Sequence, residues 1–162
     1  MKGAAIHIIC VGKLKEKFYI DGAAEYIKRL GAYCRFQLTE LPEERLPQNP
    51  SRAQIDAALE KEARSVEEKL PRGGAVIALC VEGELLSSEQ LARRLDQWTA
   101  GGTNTLVFLI GSSYGMAPSL KARARLRLSM SPMTFPHHLA RVMLLEQIYR
   151  CFKIGEGSGY HK

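Results

Sequence analysis

The sequence predicts an α/β domain in which a mostly parallel sheet carries helices on both faces. Short apolar runs alternate with longer amphipathic stretches, as expected for repeated strand–helix units. Two runs, 75–81 and 105–110, are almost wholly apolar, which is typical of strands buried on both faces. The 162 residues suffice for one core, and no repeat, linker or change in composition divides them. We therefore expect one domain over residues 1–162.

The first half of the chain predicts two strands and two helices. The apolar run 4–11 is a buried strand, and the amphipathic helix that follows it ends at Gly31. Apolar and polar residues alternate over 34–38, as in a half-exposed strand. After a proline-bearing loop, Ser51 and Gln54 form the capping-box pattern with which the next helix begins.

The second half continues this alternation. The strand 75–81 is followed by a second capping box at Ser87 and by a helix that ends at two glycines. The strand 105–110 leads into a glycine–serine turn and a short basic helix. Residues 126–130 predict the last strand, and Pro136 begins a long final helix. We expect the glycine-rich tail after that helix to be mobile when nothing binds it.

Composition limits the classes of function. The chain is 46% hydrophobic and 25% charged, as in ordinary globular proteins. Its net charge of +6 favours a polyanionic partner, such as RNA, DNA or an anionic membrane. The short apolar run near the N-terminus does not suffice for a signal peptide or a membrane span. The four cysteines lack the spacing of disulfide or zinc motifs, so we expect a cytoplasmic protein with reduced thiols, no metal and no membrane attachment.

Ligands of parallel sheets gather in the loops after the strands, and here those loops begin at Leu79, Gly111 and Met130. The stretch from Gly111 to Gly115, with Ser113 between them, also matches the nucleophile elbow of α/β-hydrolases. A hydrolase also needs an acidic residue and then a histidine later in the chain. Glu146 or Glu156 followed by His161 satisfies this order. The chain is much shorter than a usual hydrolase, so glycines for a tight turn and close ligand approach are the favoured interpretation.

Basic residues are concentrated late in the chain. The dense run and its neighbours on the final helix are Lys121, Arg123, Arg125, Arg127, Arg141 and Arg150. Such residues form either a solvated surface or a patch that contacts RNA phosphates. His137 and His138 are adjacent, so on a helix they point about 100° apart and cannot chelate one ion together. Bonds to backbone groups near the helix start are one interpretation of this pair.

Several motifs occur in one order along the whole chain: Val11-Gly12-Lys13-Leu14-Lys15, Leu85-Leu86-Ser87-Ser88-Glu89, Phe108-Leu109-Ile110-Gly111, Met133-Thr134-Phe135-Pro136-His137, Glu146-Gln147-Ile148-Tyr149-Arg150 and Tyr160-His161-Lys162. Together they resemble the bacterial ribosomal RNA large subunit methyltransferase H family. The resemblance implies a SPOUT-type fold with a trefoil knot in the C-terminal half. It also implies a homodimer that uses S-adenosyl-L-methionine to methylate N3 of a pseudouridine in 23S ribosomal RNA.

The resemblance also implies a set of site residues. The donor site would comprise Leu79, Gly111, Met130, Ser131, Pro132, Met133, Thr134 and Phe135. Tyr160 and His161 would lie near the acceptor. The imide N3–H of a pseudouridine must lose its proton at or before transfer, and a histidine near neutrality is a plausible base. We therefore expect His161, Tyr160 and His137 to be the catalytic candidates, although solvent could also accept the proton.

Two positions depart from the family pattern. Ser112 stands where the family usually has a second glycine, and the tail lacks the arginine that often precedes its Tyr-His pair. The chain is too small to include a separate RNA-binding domain, and a free stem-loop offers it few features to recognise. We therefore expect it to act on 23S RNA within the large subunit or whole ribosome, which supply further contacts. The final helix, with Leu139, Met143 and Tyr149, is a candidate dimer face. The alternative is a non-catalytic RNA- or ribosome-binding protein of the same fold.

Overall fold

The computed structural model describes residues 1–162, and the predicted α/β class is confirmed. Strands and helices alternate along the whole chain: β1 (Ala5–Val11), α1 (Lys17–Leu30), β2 (Arg35–Leu41), α2 (Arg52–Glu67), β3 (Ala75–Leu85), α3 (Ser88–Ala100), β4 (Thr105–Ile110), α4 (Pro118–Ala122), β5 (Leu126–Ser129) and α5 (His137–Gly155). None of the helices is long and apolar enough to cross a membrane.

The five strands form one parallel sheet in the order β2-β1-β4-β3-β5. Because every strand runs the same way, all carboxyl ends meet at one edge of the sheet. The loops after β3, β4 and β5 therefore become spatial neighbours although they are far apart in sequence. The trefoil knot that the family resemblance implies stays a prediction.

Helices cover both faces of this sheet. On one face, α1, α3 and α5 pack over Ile6, Ile8 and Phe108, within a cluster of 20 buried residues. On the other face, α2 and α4 pack over Ile9 and Leu109, within a cluster of 13. Burying a side chain such as Phe108 stabilises the fold by roughly 1.5–3 kcal/mol. Ile8 faces the first helical layer and its neighbour Ile9 faces the second, so β1 is buried on both faces and must be apolar on both.

Both predicted capping boxes form. The hydroxyl of Ser51 accepts a hydrogen bond from the backbone N–H of Gln54, and the Gln54 side chain accepts one from the Ser51 N–H at 2.8 Å. Ser87 and Gln90 repeat the arrangement at the start of α3. Each cap stabilises its helix by about 1 kcal/mol, which explains why these helix starts are visible in the sequence.

The predicted end of β3 was wrong, because the strand continues past residue 81 to Leu85. Leu79 and Glu84 both lie opposite Leu128, so β3 pairs twice with β5 around an irregular segment. A Cβ at Gly83 would come within 2.8 Å of the β5 backbone, so only glycine fits this close approach. The extension depends on a partner strand about 40 residues further on, which local patterns do not reveal.

Candidate active site

A cleft of about 780 Å³ opens at the carboxyl ends of β3, β4 and β5. The loops that follow these strands and the first turn of α5 form its walls. Seven of the eight predicted donor residues line it: Leu79, Gly111, Met130, Ser131, Met133, Thr134 and Phe135. Pro132 belongs to the same loop but does not line the cleft. The topology thus collects three separate segments of the chain into one site.

The lining of the cleft is half apolar and carries little net charge. Eleven of its 21 residues are hydrophobic, which suits a planar ring system. Its one lysine, Lys121, is ion-paired with Glu82, the one carboxylate in the lining. The cleft therefore lacks the concentration of positive charge that a ligand with several phosphates requires.

The turn 111–115 after β4, here called the donor turn, closes very tightly. The N–H of Ser112 donates to the carbonyl of Gly115 at 3.1 Å, and the N–H of Gly115 donates back to the carbonyl of Ser112 at 2.9 Å. A Cβ at Gly111 would lie 2.2 Å from the carbonyl oxygen of Gly115. The closure of the turn itself therefore requires glycine at 111.

Two carboxylates from the β2–α2 region hold the donor turn. The Ser112 hydroxyl donates to Oε1 of buried Glu62 at 2.9 Å. The hydroxyl and N–H of Ser113 donate to Oε1 of Glu43 at 3.0 and 3.3 Å. Sequence reasoning missed both glutamates. Glu62 left a signal, because it lies within the apolar stripe of α2 that includes Leu59, where a carboxylate needs a partner.

His137 begins α5 and lines the cleft. Burial is the main reason that its pKa lies below the ordinary value of 6.5, and the neighbouring His138 lowers it further. The ring is therefore neutral at pH 7 and able to accept a proton. A Cβ at Gly12 would lie 3.5 Å from Nε2 of His137 and 3.8 Å from Oε2 of Glu43, so both side chains border this glycine, whose φ is +106°.

The geometry does not support a serine hydrolase. The Ser113 hydroxyl donates to Glu43, while His161 lies against Glu89 at the start of α3 and Arg150 on α5. A nucleophile elbow holds its serine on a strained turn. No residue other than glycine has a positive φ here.

Comparisons with known proteins agree with the resemblance found in the sequence. A family model described as "Predicted SPOUT methyltransferase" matches residues 4–161. The chain belongs to the SPOUT methyltransferase family. Proteins named "Ribosomal RNA large subunit methyltransferase H" are similar over almost their whole length: that of Streptococcus thermophilus (strain CNRZ 1066) is 47% identical over 97% of this chain and 99% of its own, and that of Desulforamulus reducens is 45% identical over 97% and 98%.

A solved structure is similar in fold to this SPOUT methyltransferase. It belongs to a probable methylase family protein from Haemophilus influenzae Rd KW20 and matches with a TM-score of 0.53 over 97% of this chain and 70% of that one. The two sequences are 12% identical, so this likeness shows the fold alone.

The tail of the SPOUT methyltransferase packs against its own α5, away from His137. The Tyr160 hydroxyl donates to Glu146 at 3.0 Å, and burial, followed by this bond, raises the pKa of Tyr160. Glu146 lies nine residues beyond His137 along α5, which is about 13 Å. The tail, which the sequence predicts to be mobile when nothing binds it, is packed against α5 in this structure. A single chain therefore does not bring His137, Tyr160 and His161 together.

The ring of His161 bridges two charged groups in this packed tail. Arg150 can only donate, so it donates to Nδ1 of His161 at 3.1 Å, and Nε2 carries the proton toward Glu89 at 2.7 Å. This contact is the main reason that the pKa of Glu89 falls to about 2. Arg150 itself is half-buried and paired with Glu146 at 2.8 Å, so its charge is largely matched within the chain.

The position of Arg141 corrects the expectation that it contacts RNA. The residue is 1% exposed, and its side chain donates to Glu40 at 2.6 Å and to the Gly12 carbonyl at 2.9 Å. Because α5 packs between α1 and α3, its polar positions do not all face solvent. Arg141 ties α5 to the carboxyl ends of β1 and β2, which places His137 one turn away over Gly12.

The basic run does not form one patch. Lys121 is half-buried in the cleft, whereas Arg123, Arg125 and Arg127 are exposed. Arg125 stacks on the ring of Trp98 at 4.2 Å and reaches Thr103, at the amino edge of the sheet. Arg127 donates to the carbonyl of Lys121 at 3.3 Å, so the basic run extends from the cleft, through Lys121, to the opposite edge of the sheet at Arg125.

All four cysteines are free thiols, and Cys80 is the one that lines the cleft. Cys10 and Cys151 are buried, and burial raises the pKa of each thiol to about 12. Cys34 and Cys80 are half-buried, although each lies in an apolar run that favours burial of the thiol. No three His, Cys, Asp or Glu side chains lie together as a metal site would require.

Proposed function

We propose that this chain is an S-adenosyl-L-methionine-dependent methyltransferase that methylates N3 of a pseudouridine in 23S ribosomal RNA. One observation carries the proposal: a cleft suited to the donor lies at the carboxyl ends of β3, β4 and β5 in a SPOUT methyltransferase. The names of relatives that are 45–47% identical over nearly their full length support ribosomal RNA as the acceptor.

The residues of the cleft fit the donor. When bound, S-adenosyl-L-methionine supplies a methyl group activated by a positively charged sulfur. Leu79, Met130 and Phe135 offer apolar surface to an adenine ring, and the donor turn offers backbone groups. The donor carries no phosphate, which agrees with a lining whose one lysine is already paired. The volume of about 780 Å³ lies within the range of ligand sites.

His137 is the base that the geometry favours. It lines the cleft, and its lowered pKa keeps the ring neutral at pH 7. It can therefore accept the N3 proton of the acceptor, a step that contributes typically 10²- to 10⁴-fold. The remaining acceleration comes from holding the methyl carbon in line with the acceptor nitrogen, because transfer depends mainly on position.

A second copy of the chain completes the site in this proposal. Tyr160 and His161 lie in the tail after α5 and contact Glu146 and Arg150 rather than lining the cleft of their own chain, so the partner of a two-fold homodimer supplies them. Leu139, Met143 and Tyr149 on α5 are half-buried and remain the proposed dimer face. The exposed Arg123, Arg125 and Arg127 contact phosphates of 23S RNA in the assembled large subunit or ribosome. This substrate places the enzyme in the cytoplasm.

The test combines donor binding with methyl transfer. Labelled donor is offered to large subunits and ribosomes that lack the modification, to naked 23S RNA and to a short hairpin, and the product is located by mass spectrometry. We expect donor binding, N3-methylpseudouridine in intact particles, and little transfer to naked RNA. Donor binding without methyl transfer to any of these RNAs would refute the proposed methyltransferase activity. Efficient transfer to the hairpin would refute the requirement for an assembled subunit or ribosome.

A pair of variants tests the base. His137→Gln removes the proposed proton acceptor, so kcat should fall by about 10²- to 10⁴-fold while donor affinity changes little. His138→Gln is the neighbouring control, because His138 does not line the cleft and its loss keeps the proposed base. The His138 ring packs on His137 at 4.1 Å and lowers the His137 pKa, so this variant should raise that pKa without removing the proton acceptor. Equal kcat values for the two variants would mean that His137 is not the base.

A further inference from the structure

Glu43 and Glu62 hold the donor turn in different ways. Both oxygens of Glu62 are used, because Oε1 accepts from Ser112 and Oε2 accepts from the N–H of Glu44 at 2.9 Å. Glu62 is buried, and it serves as an internal anchor. Glu43 is exposed and uses only Oε1 on Ser113, so its second oxygen is free for another neighbour.

The second oxygen of Glu43 and the ring of His137 border the same gap above Gly12. A Cβ at Gly12 would lie 3.5 Å from Nε2 of His137 and 3.8 Å from Oε2 of Glu43, so these two atoms are at most about 7 Å apart, and the carboxylate charge reaches the ring. Glycine at 12 leaves this gap open. One carboxylate therefore spans the turn that forms the donor site and the ring that forms the proposed base.

We infer that Glu43 is a positioning residue that couples the donor turn to His137. Through Oε1 it holds Ser113 where the donor binds. Through Oε2 it places a negative charge beside the imidazole, which stabilises the imidazolium formed when His137 accepts the acceptor proton. The inference rests on the proposed function, because it assigns a role to a neighbour of the proposed base.

The charges around His137 are consistent with this role. His138 and Arg141 disfavour a positive charge on the ring, and burial does so most strongly. Glu43 and Glu16 favour it. Of these two carboxylates, Glu16 lies 3.4 Å from Nδ1 of His138, whereas Glu43 is the one that also holds the donor turn. Glu43 raises the His137 pKa, whereas burial, His138 and Arg141 lower it. Removing the charge of Glu43 should therefore lower the His137 pKa.

Two variants separate the functions of the two oxygens. Glu43→Gln keeps an oxygen that accepts from Ser113 but removes the charge beside His137. Ser113→Ala removes the hydroxyl bond but keeps the charge. Glu62→Gln is the matched control, because it makes the same chemical change in a carboxylate that holds Ser112 and does not face His137.

The His137 pKa is read by NMR titration of the ring, and donor affinity by calorimetry. For Glu43→Gln we expect the pKa of His137 to fall by about 0.5–1 unit, a 3- to 10-fold loss of proton affinity, since the exposed position of Glu43 weakens its effect. The acid limb of the kcat/KM profile, which reports the free enzyme, should move to lower pH by the same amount. Ser113→Ala should weaken donor binding several-fold and leave the limb in place, and Glu62→Gln should not move the limb.

The outcomes distinguish the inference from the proposed function. If wild type binds no donor and methylates no RNA, the proposed function fails, while the NMR titration still reports whether Glu43 acts on His137. If wild type is active and Glu43→Gln leaves both the His137 pKa and the acid limb unchanged, the inference is overturned. An equal shift in Glu62→Gln would also overturn it, because the effect would then follow general disturbance of the turn.

Discussion

Gly111→Ala tests whether the donor turn shapes the cleft. The added Cβ would lie 2.2 Å from the carbonyl oxygen of Gly115 and 2.7 Å from its carbon. Both atoms belong to the backbone of a turn closed by two hydrogen bonds with Ser112, so no side chain can move aside to make room. The methyl group collides with the turn itself, and the effect on the ligand follows from the displacement of that turn.

The size of the effect follows from the displacement. Ordinary contacts begin near 3.4 Å, so the carbonyl of Gly115 must retreat by about 1.2 Å. A misplacement of about 1 Å can cost about 10²-fold in activity, and overpacking costs about 1–3 kcal/mol of stability. We expect donor affinity to fall at least 10-fold and the free energy of unfolding by about 1–3 kcal/mol.

Calorimetry with S-adenosyl-L-methionine and denaturant unfolding measure these two quantities on the same preparation. Gly22→Ala is the matched control, because its Cβ would meet only Val142 at 3.5 Å, an ordinary contact on helix α1. That variant should bind the donor normally and gain up to about 1 kcal/mol in helix stability. A folded Gly111→Ala protein that binds the donor within about twofold of wild type would refute this account of the turn.

Three further predictions follow from burial and exposure. Arg141→Met should lower the free energy of unfolding by about 2–3 kcal/mol, toward the low end for a broken buried pair because Glu40 is partly solvated, and it should leave the salt slope of RNA binding unchanged. Arg123→Ala with Arg125→Ala should flatten that slope by up to about two units, and equal slopes would mean a solvated surface only. Cys10 should react with iodoacetamide at pH 8 only as fast as the protein unfolds, because burial raises its pKa to about 12. Peptide mapping separates Cys10 from the half-buried Cys34 and Cys80, and rapid labelling of Cys10 in the native protein would contradict this.

Local chemistry made the element order predictable. The capping boxes at Ser51 and Ser87 depend on residues three positions apart, so the sequence displays them directly. The apolar runs of β3 and β4 are continuous because these strands are buried on both faces. In a parallel sheet, loops after neighbouring strands share one edge, so the donor loops at 79, 111 and 130–135 could be grouped before the structure was known.

Long-range contacts decided what the sequence could not show. Glu43 reaches Ser113 across 70 residues, and Arg141 reaches Glu40 across 101, so no local pattern announces either pair. An arginine on a helix is expected at the surface, yet α5 packs between two other helices and buries this one.

The sequence by itself determined the α/β class, the family, and the loops that build the cleft, because periodicity, caps and motifs are written in nearby residues. Only the tertiary structure decided that the donor turn is held by two carboxylates, that His137 and Glu43 both border Gly12, and that Tyr160 packs on its own α5. Those facts depend on which distant surfaces meet when the sheet and its helices pack, and packing is a property of the whole fold.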